Sequence, residues 1–340
     1  MVVPLMNSLT LQPVVEILDS IASRREVDWA LGKVDINRRL IGGQPVFLPL
    51  DAEAKLAEAL SRRLGERHLG ALVGQRYDYS ELSWYGEFVL TARTLGEALL
   101  RAAKALPVLH PGCRVSLEFA DGCYLLLFHS GISHVVGASH LDESMAFLMI
   151  DLIRRFLGAN WTPAWVTLAS ASDTGSSALE QIYGTSVVFR SEGAGIALRP
   201  HELEAPNPNG RSLGKTMLLR DIPTLLGVVV PTCFSETVVE VLRFQVVLGD
   251  ISQDTVAERL SLGVQTLQRR LRREGTSFRE IRNAFLKQRA ADLLTQTDHS
   301  IEEIARSLGY EETNSFRRAF RTWFGLSPTE FSRNGPSLAL

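Results

Sequence analysis

Two stretches near the C-terminal end of the chain repeat one pattern. The first is DTVAERLSLGVQTLQRRLRREG (254–275), and the second is SIEEIARSLGYEETNSFRRAFRTWFG (300–325). Each contains a short segment with apolar residues at helical spacing, then a turn, then a longer segment rich in arginine. One further helical segment, from Phe278 to about Thr297, separates them. This duplication predicts an all-α domain in which a linker helix joins two helix-turn-helix units.

The supporting helix of the second repeat has apolar residues at positions i, i+3, i+4 and i+7: Ile301, Ile304, Ala305 and Leu308. Ser300 is suited to cap this helix, because Glu303 stands three residues further on. Gly309 ends it, at a position where a left-handed backbone conformation favours glycine. In the first repeat Ser261 occupies the equivalent place and Gly263 follows it, which predicts a turn of different shape.

The second helix of each unit keeps a polar face once its apolar anchors are assigned. That face holds Gln265, Thr266, Gln268, Arg269, Arg272 and Arg273 in the first unit, and Thr313, Asn314, Arg317, Arg318 and Arg321 in the second. Arginine pairs with guanine in the major groove of DNA, Gln and Asn pair with adenine, and other Arg and Thr side chains suit phosphates. One such face could equally be a solvated, arginine-rich surface. Two faces at matched positions favour DNA recognition over that alternative and over a plain helical bundle.

The length of the linker helix agrees with this interpretation. About 19 residues at a rise of about 1.5 Å per residue span roughly 28 Å. Successive major grooves on one side of a duplex lie about 34 Å apart. Two recognition helices held by this spacer are therefore expected to enter adjacent grooves, with some bending of the DNA.

The upstream part of the chain predicts an α+β domain with antiparallel strands. Helical patterns cover 13–23, 52–64, 94–106 and 139–157, and strand patterns cover 114–119, 123–128, 165–169, 186–189 and 195–198. Asp121-Gly122 marks a hairpin turn between the first two strands. The stretch 204–214 contains Pro, Asn and Gly and is typical of a loop. We therefore expect a domain at 1–205, a linker at 206–234 and the helix-turn-helix domain at 235–340.

Composition excludes several classes of protein. The formal charge is −2, so a nucleic-acid-binding surface has to be local. No apolar run reaches the roughly 18 residues that a membrane span needs, and the N-terminal residues lack a signal-peptide pattern, so we expect a cytoplasmic protein with no membrane partner. Cys113, Cys123 and Cys233 are too few and too poorly placed for a disulfide framework. Neither nucleophile-elbow, zincin nor P-loop motifs occur, so we expect no enzyme, no cofactor and no metal.

Residues 254–332 resemble the DNA-binding domain of the AraC/XylS transcription regulators. The resemblance is carried by Ala257 and Leu260 with LQRRLRREGTSF (267–278), and by IEEIARSLGYEETNSFRRAFRTWFGLSP (301–328). It implies contacts with double-stranded promoter DNA from both polar faces. One departure is visible, since Ser332 stands where the family usually has Arg, with Arg333 next.

The upstream domain, over about 14–206, resembles the arabinose-binding-type sensor domain of a subgroup that includes regulators of ornithine use, virulence and quorum sensing. TLGEALLRAAKALPVLHPG (94–112) and the hairpin after it carry the resemblance. It implies effector sensing, dimerisation or both. Candidate effector-binding residues near the hairpin are Trp84, Tyr85, His110, Tyr124, Phe128 and His129, although the same aromatic residues could simply form a core.

Together these patterns predict a homodimeric transcription regulator that is controlled by a small molecule. Activation through contact with RNA polymerase is the outcome that the resemblance implies, and repression is compatible with the same residues. In the alternative interpretation the upstream domain is only a dimerisation or protein-interaction module, and abundance or a partner protein controls the regulator.

Overall fold

A computed structural model describes residues 3–169, 176–190, 193–209 and 217–334. The chain divides into two compact units, one formed by Val3–Val230 and the other by Pro231–Leu340. The loop predicted over 204–214 falls partly outside the described residues, from Gly210 onward. In the portion of the chain that is described, no helix is both long enough and apolar enough to cross a bilayer.

The N-terminal unit combines helices and strands, as the α+β prediction requires. Its helices are α1 (Ser8–Ile21), α2 (Arg24–Gly32), α3 (Arg38–Ile41), α4 (Leu50–Leu64), α5 (Leu69–Gly74), α6 (Ser83–Leu90), α7 (Leu95–Leu109), α8 (Ala138–Leu157), α9 (Ser176–Tyr183) and α10 (Ile222–Leu226). Its strands are β1 (Leu5–Asn7), β2 (Phe47–Pro49), β3 (Arg114–Ala120), β4 (Cys123–His129), β5 (Val166–Ala169), β6 (Val187–Arg190) and β7 (Ala194–Leu198). Short 3-10 helices occupy Tyr79–Leu82, Pro200–Glu204 and Leu219–Asp221.

The five-stranded sheet has the order β3-β4-β7-β5-β6. The β3–β4, β4–β7 and β5–β7 pairs are antiparallel, as predicted, but β5 and β6 pair in parallel. The expectation of antiparallel strands is therefore wrong for β6. The reason is that α9 lies between β5 and β6 in the chain, and a crossover helix of this kind returns the next strand in the same direction.

The predicted hairpin has the expected register. Asp121 and Gly122 both have positive φ (52° and 76°), and Ala120 lies opposite Cys123. Side chains along β4 alternate between the two faces of the sheet. Leu126 belongs to the main core between sheet and helices, whereas Leu125 and Leu127 form a smaller cluster with Ala197 on the other face.

Helix α7 begins at the residue that the sequence predicts. The Thr94 hydroxyl accepts a hydrogen bond from the Glu97 N–H at 3.2 Å. The return bond of a capping box goes instead to the N–H of Arg93, at 3.0 Å from the Glu97 carboxylate. The helix then presents Leu95, Ala98 and Leu99 to the core.

The C-terminal unit is all helical in its described residues. Its helices are α11 (Phe234–Leu248), α12 (Gln253–Arg259), α13 (Val264–Arg273), α14 (Phe278–Gln296), α15 (Ile301–Ser307), α16 (Thr313–Phe324) and α17 (Pro328–Asn334). Helices α12 and α13 form the first helix-turn-helix unit, and α15 and α16 form the second. Helix α14 is the linker helix, and it packs against α11, α15, α16 and α17.

Candidate nucleic-acid interface

The two units turn from the first helix to the second in nearly the same way. Ser261 and Gly309 both have left-handed backbone, with φ of 51° and 78°. In each unit the next N–H donates back to the carbonyl of the small alanine in the supporting helix: Leu262 to Ala257 at 2.9 Å, and Tyr310 to Ala305 at 3.0 Å. The prediction that the two turns differ in shape is therefore wrong at this residue. The units differ instead in length, because α13 begins three residues after Ser261, whereas α16 begins four residues after Gly309.

Helix α13 is anchored from one side and open on the other. Leu267 and Leu271 are fully buried, and they fix the helix against the supporting helix and α11. The predicted polar face is exposed at Gln265, Gln268, Arg269, Arg272 and Arg273, and half-buried at Thr266. Arg270, which the sequence analysis did not assign to this face, lies over the Phe234 ring at 5.3 Å and so belongs to the packing side.

Helix α16 is anchored by aromatic residues. Phe316 and Phe320 are fully buried, and the Phe320 ring contacts those of Phe324 and Phe331 at centroid distances of 4.5 and 5.3 Å. The opposite side exposes Asn314, Arg317, Arg318 and Arg321, with Thr313 half-buried. The structure therefore brings the predicted side chains together as one exposed surface on each helix.

These two surfaces are basic, because both helices carry exposed arginine side chains and neither α13 nor α16 contains an acidic residue. Their arginine side chains make few contacts of their own. Arg318 lies 3.3 Å from the Ser315 hydroxyl, and Arg272 lies 3.4 Å from the carbonyl oxygen of Gln268. Both contacts are near the long limit for a hydrogen bond, so they hold the guanidinium groups only loosely.

One positioning residue was missed by the sequence analysis. Glu274, directly after α13, accepts hydrogen bonds from the backbone N–H groups of Phe234 and Ser235 at 2.9 and 2.8 Å. Although burial raises the pKa of this carboxyl, these two bonds hold it below its ordinary value overall. Glu274 thereby ties the end of α13 to the start of α11. Since the partners are about forty residues apart, no local pattern marks this contact.

The six candidate effector-binding residues fall in different places. Tyr85, His110 and Phe128 line a common cavity of about 60 Å³ between α6, α7, α8 and the hairpin, in the N-terminal unit. Trp84 lines an open groove beside Glu87 instead. Tyr124 packs its ring edge against Phe119 at 5.1 Å.

His129 points away from this cavity, because it follows Phe128 in a strand and neighbouring side chains lie on opposite faces. Its Nε2 lies 2.8 Å from the Ser116 hydroxyl. His110, in contrast, is only 5 % exposed, and its Nδ1 has no hydrogen-bond partner among the described residues. Burial lowers the pKa of His110 to about 4, so this imidazole is neutral at pH 7.

Comparison with known proteins identifies both units. Residues 26–207 match the family described as "Arabinose-binding domain of AraC transcription regulator, N-term", and residues 256–334 match a family described as "Helix-turn-helix domain". The first match alone covers more than half of the chain. The protein belongs to the AraC family of transcription regulators. It is a regulator and not an enzyme.

Relatives of this AraC-family regulator extend over most of its length. The ornithine utilization regulator of Pseudomonas aeruginosa is 24 % identical over 291 residues, which covers 85 % of this chain and 84 % of that protein. The regulator VirS of Mycobacterium tuberculosis is 34 % identical over 101 residues, 30 % of each chain. Among solved structures, the regulator CdpR of Pseudomonas aeruginosa is similar at 22 % identity and a TM-score of 0.36, covering 91 % of this chain and 97 % of that one.

Proposed function

We propose that each protomer of this AraC-family regulator inserts α13 and α16 into successive major grooves of promoter DNA. The observation that carries the proposal is the pair of exposed, acid-free helix faces, each supported by an equivalent turn. DNA is a dense array of negative charge, and arginine-rich helix faces bind it by neutralising phosphates. The weak overall charge of −2 does not oppose this, because the positive charge is concentrated on the two faces.

The length of the linker helix between α13 and α16 supports the proposal. Helix α14 has 19 residues, which correspond to about 28 Å at the usual rise per residue. Its buried positions run from the first turn to the last, so it is held as a spacer along its whole length. A distance somewhat below the roughly 34 Å between successive grooves is accommodated when the duplex bends.

The residue types suggest a division of roles. Gln265, Gln268 and Asn314 have amide side chains that suit adenine, whereas Arg269 and Arg318 suit guanine. The remaining exposed side chains of the two faces suit phosphates and fix the orientation of the protein: Thr266, Arg272, Arg273, Thr313, Arg317 and Arg321.

We further propose that a small molecule bound in the N-terminal unit controls DNA binding, and that the protein acts as a homodimer that activates transcription through RNA polymerase. The described cavities and the match to the arabinose-binding domain support the first part. Family resemblance supports the second. A thermal-shift screen with metabolites distinguishes small-molecule control from purely protein-mediated control. An effector at one hundred times its Kd should stabilise the protein by about 2.7 kcal/mol.

The DNA proposal is tested with duplexes that the wild-type protein enriches from a random-sequence pool. Arg269→Ala and Arg318→Ala should each weaken binding by about 1–3 kcal/mol and relax sequence preference at one position. Arg306→Ala is the matched control, since Arg306 is also exposed but lies on the supporting helix α15, next to Glu302. Unchanged DNA affinity and unchanged sequence preference in both test variants would contradict the proposed interface.

A further inference from the structure

The N-terminal unit contains a second cavity that is polar and larger than the one beside His110. Its volume is about 290 Å³, close to the lower end of the range for small-molecule sites. One wall carries ionisable side chains from α4, α8 and the segment between α4 and α5: Glu58, Arg67, His68, His140, Asp142 and Glu143. Arg67 is exposed to solvent and has contacts of its own. The other wall is apolar and comes from β5, α9 and β6, through Leu168, Leu179 and Phe189.

Glu143 is buried, but hydrogen bonds stabilise its negative charge. The His68 Nδ1 lies 2.9 Å from one carboxylate oxygen, and the Ala71 N–H donates to the other at 3.2 Å. Burial raises the pKa of Glu143, but its interactions with His140 and His68 outweigh burial and hold the pKa below its ordinary value. This carboxylate is therefore part of the protein's own framework.

Asp142, the neighbouring residue, is in a different situation. Asp142 is only 2 % exposed, and its carboxylate forms no ion pair with any described residue. Its hydrogen bond comes from the backbone N–H of Ala169. Burial and, to a smaller extent, the negative charge of Glu143 raise the pKa of Asp142 to about 7. A cation bound in the cavity would place a positive charge within reach of this carboxylate.

His140 provides a second, independent polar group at the same cavity. The residue is 4 % exposed, and its Nδ1 has no hydrogen-bond partner within the described chain. The nearest acid oxygen, on Glu143, lies 3.9 Å away, beyond hydrogen-bond reach. Its other ring nitrogen faces Glu58 at 3.4 Å. Buried polar atoms are rarely left without partners, so this one points to a bound group.

Close packing of backbone fixes the shape of this cavity. A Cβ built on Gly70 would collide with the backbone carbonyl of His140, and one on Gly74 would lie 2.8 Å from Ser144. Helix α5 can therefore approach α8 only because both positions are glycine. This approach brings His68 to Glu143 and leaves Asp142 facing the cavity.

We propose that this cavity binds the effector, and that the effector is a small organic cation with a primary ammonium group on a short alkyl chain. The ammonium donates hydrogen bonds to the Asp142 carboxylate and to the unpaired Nδ1 of His140, while the alkyl chain packs on Leu179 and Phe189. A metal ion is a poor alternative, because no group of three or more His, Cys, Asp or Glu in the described parts of the chain has the geometry to hold one. This proposal rests on the proposed small-molecule control and gives it a site and a ligand class.

Calorimetric titration of the full-length protein tests the ligand class with two probes of equal size. These are n-butylammonium chloride and the uncharged 1-butanol. The wild-type protein should bind the ammonium at least tenfold more tightly than the alcohol. Asp142→Asn keeps the shape of the side chain but removes its charge, and it should weaken ammonium binding at least tenfold. Asp151→Asn on the same helix is the control and should bind like wild type, since Asp151 does not line the cavity.

Three results would overturn the proposal: no ammonium binding by wild-type protein, equal binding of both probes, or unchanged ammonium binding by Asp142→Asn. The wild-type comparison needs no variant, so the test survives even if a substitution disturbs folding. Affinity for the enriched DNA duplex is measured on the same samples without either probe. Intact DNA binding alongside a negative titration means that the effector class is wrong while the DNA-binding proposal stands.

Discussion

Ser261 and Gly309 adopt the same left-handed backbone conformation at equivalent positions of the two helix-turn-helix units. A left-handed conformation costs an ordinary L-residue about 1–2 kcal/mol relative to glycine. The first unit tolerates this cost with a serine, which shows that the conformation is imposed by packing of the two helices and not by the glycine itself.

Gly309→Ala should therefore destabilise the C-terminal unit by about 1 kcal/mol without changing its fold. No atom lies closer than 3.5 Å to the added Cβ, so backbone strain alone causes the loss. Chemical denaturation measures it. Gly263→Ser is the control, because Gly263 has an extended backbone at an N-cap, where serine is favoured. Equal effects from both substitutions would contradict the strain argument.

Arg272→Gln should reduce the salt dependence of DNA binding. Each phosphate contact contributes about −0.9 to the slope of log K against log salt concentration. Losing one contact should make the slope less steep by about that amount. Arg270→Gln should leave the slope unchanged, since Arg270 covers the Phe234 ring. Anisotropy titrations at several salt concentrations give both slopes, and identical slopes in wild type and Arg272→Gln would exclude a phosphate contact.

The neutral, buried His110 makes the N-terminal unit sensitive to acid. Its pKa in the folded state is about 4, below the value of about 6.5 expected in the unfolded chain. Between these pH values only the unfolded chain takes up the proton. The contribution of neutral His110 to the free energy of unfolding is therefore complete above pH 6.5 and declines as the pH falls toward 4. Wild type should lose about 2–3 kcal/mol more than His110→Phe between pH 7 and pH 4.5. Parallel pH profiles of the unfolding free energy would refute this.

Phe320→Ala should cost about 3–5 kcal/mol, the usual range for removing a fully buried aromatic side chain. Phe320 contacts Phe316, Phe324 and Phe331, so its loss leaves a cavity that its neighbours fill poorly. Scanning calorimetry of the full chain should show a lower unfolding temperature for the C-terminal unit. The variant should also lose DNA binding. Phe119→Ala, at a residue 63 % exposed, should change stability by less than about 1 kcal/mol.

The C-terminal unit was largely predictable because its signals are local. Apolar spacing, the Ser300–Glu303 capping box and the Arg-rich faces are all encoded within a single turn or helix. The shape of the first turn was not predictable in this way. Packing against Ala257 forces Ser261 into a conformation that its own preference disfavours.

The N-terminal unit was less predictable because its important contacts are distant in sequence. The pairing of β5 with β6, and the approach of His68 to Glu143 across 75 positions, depend on tertiary packing. Candidates chosen by residue type and proximity to the hairpin included Phe128 and His129, which a strand places on opposite faces. The polar cavity was missed because its members, from Glu58 to Phe189, share no local pattern.

The buried positions of α14 extend from Phe278 near its start to Leu294 near its end, and the helix packs against α11 and against the second helix-turn-helix unit. One inserted residue would rotate everything after it by about 100° and lengthen the helix by about 1.5 Å. Such an insertion would bury polar side chains and expose apolar ones in a single step. Changes of chain length among descendants of this protein should therefore accumulate in the exposed segment 297–300 and not within the helix itself.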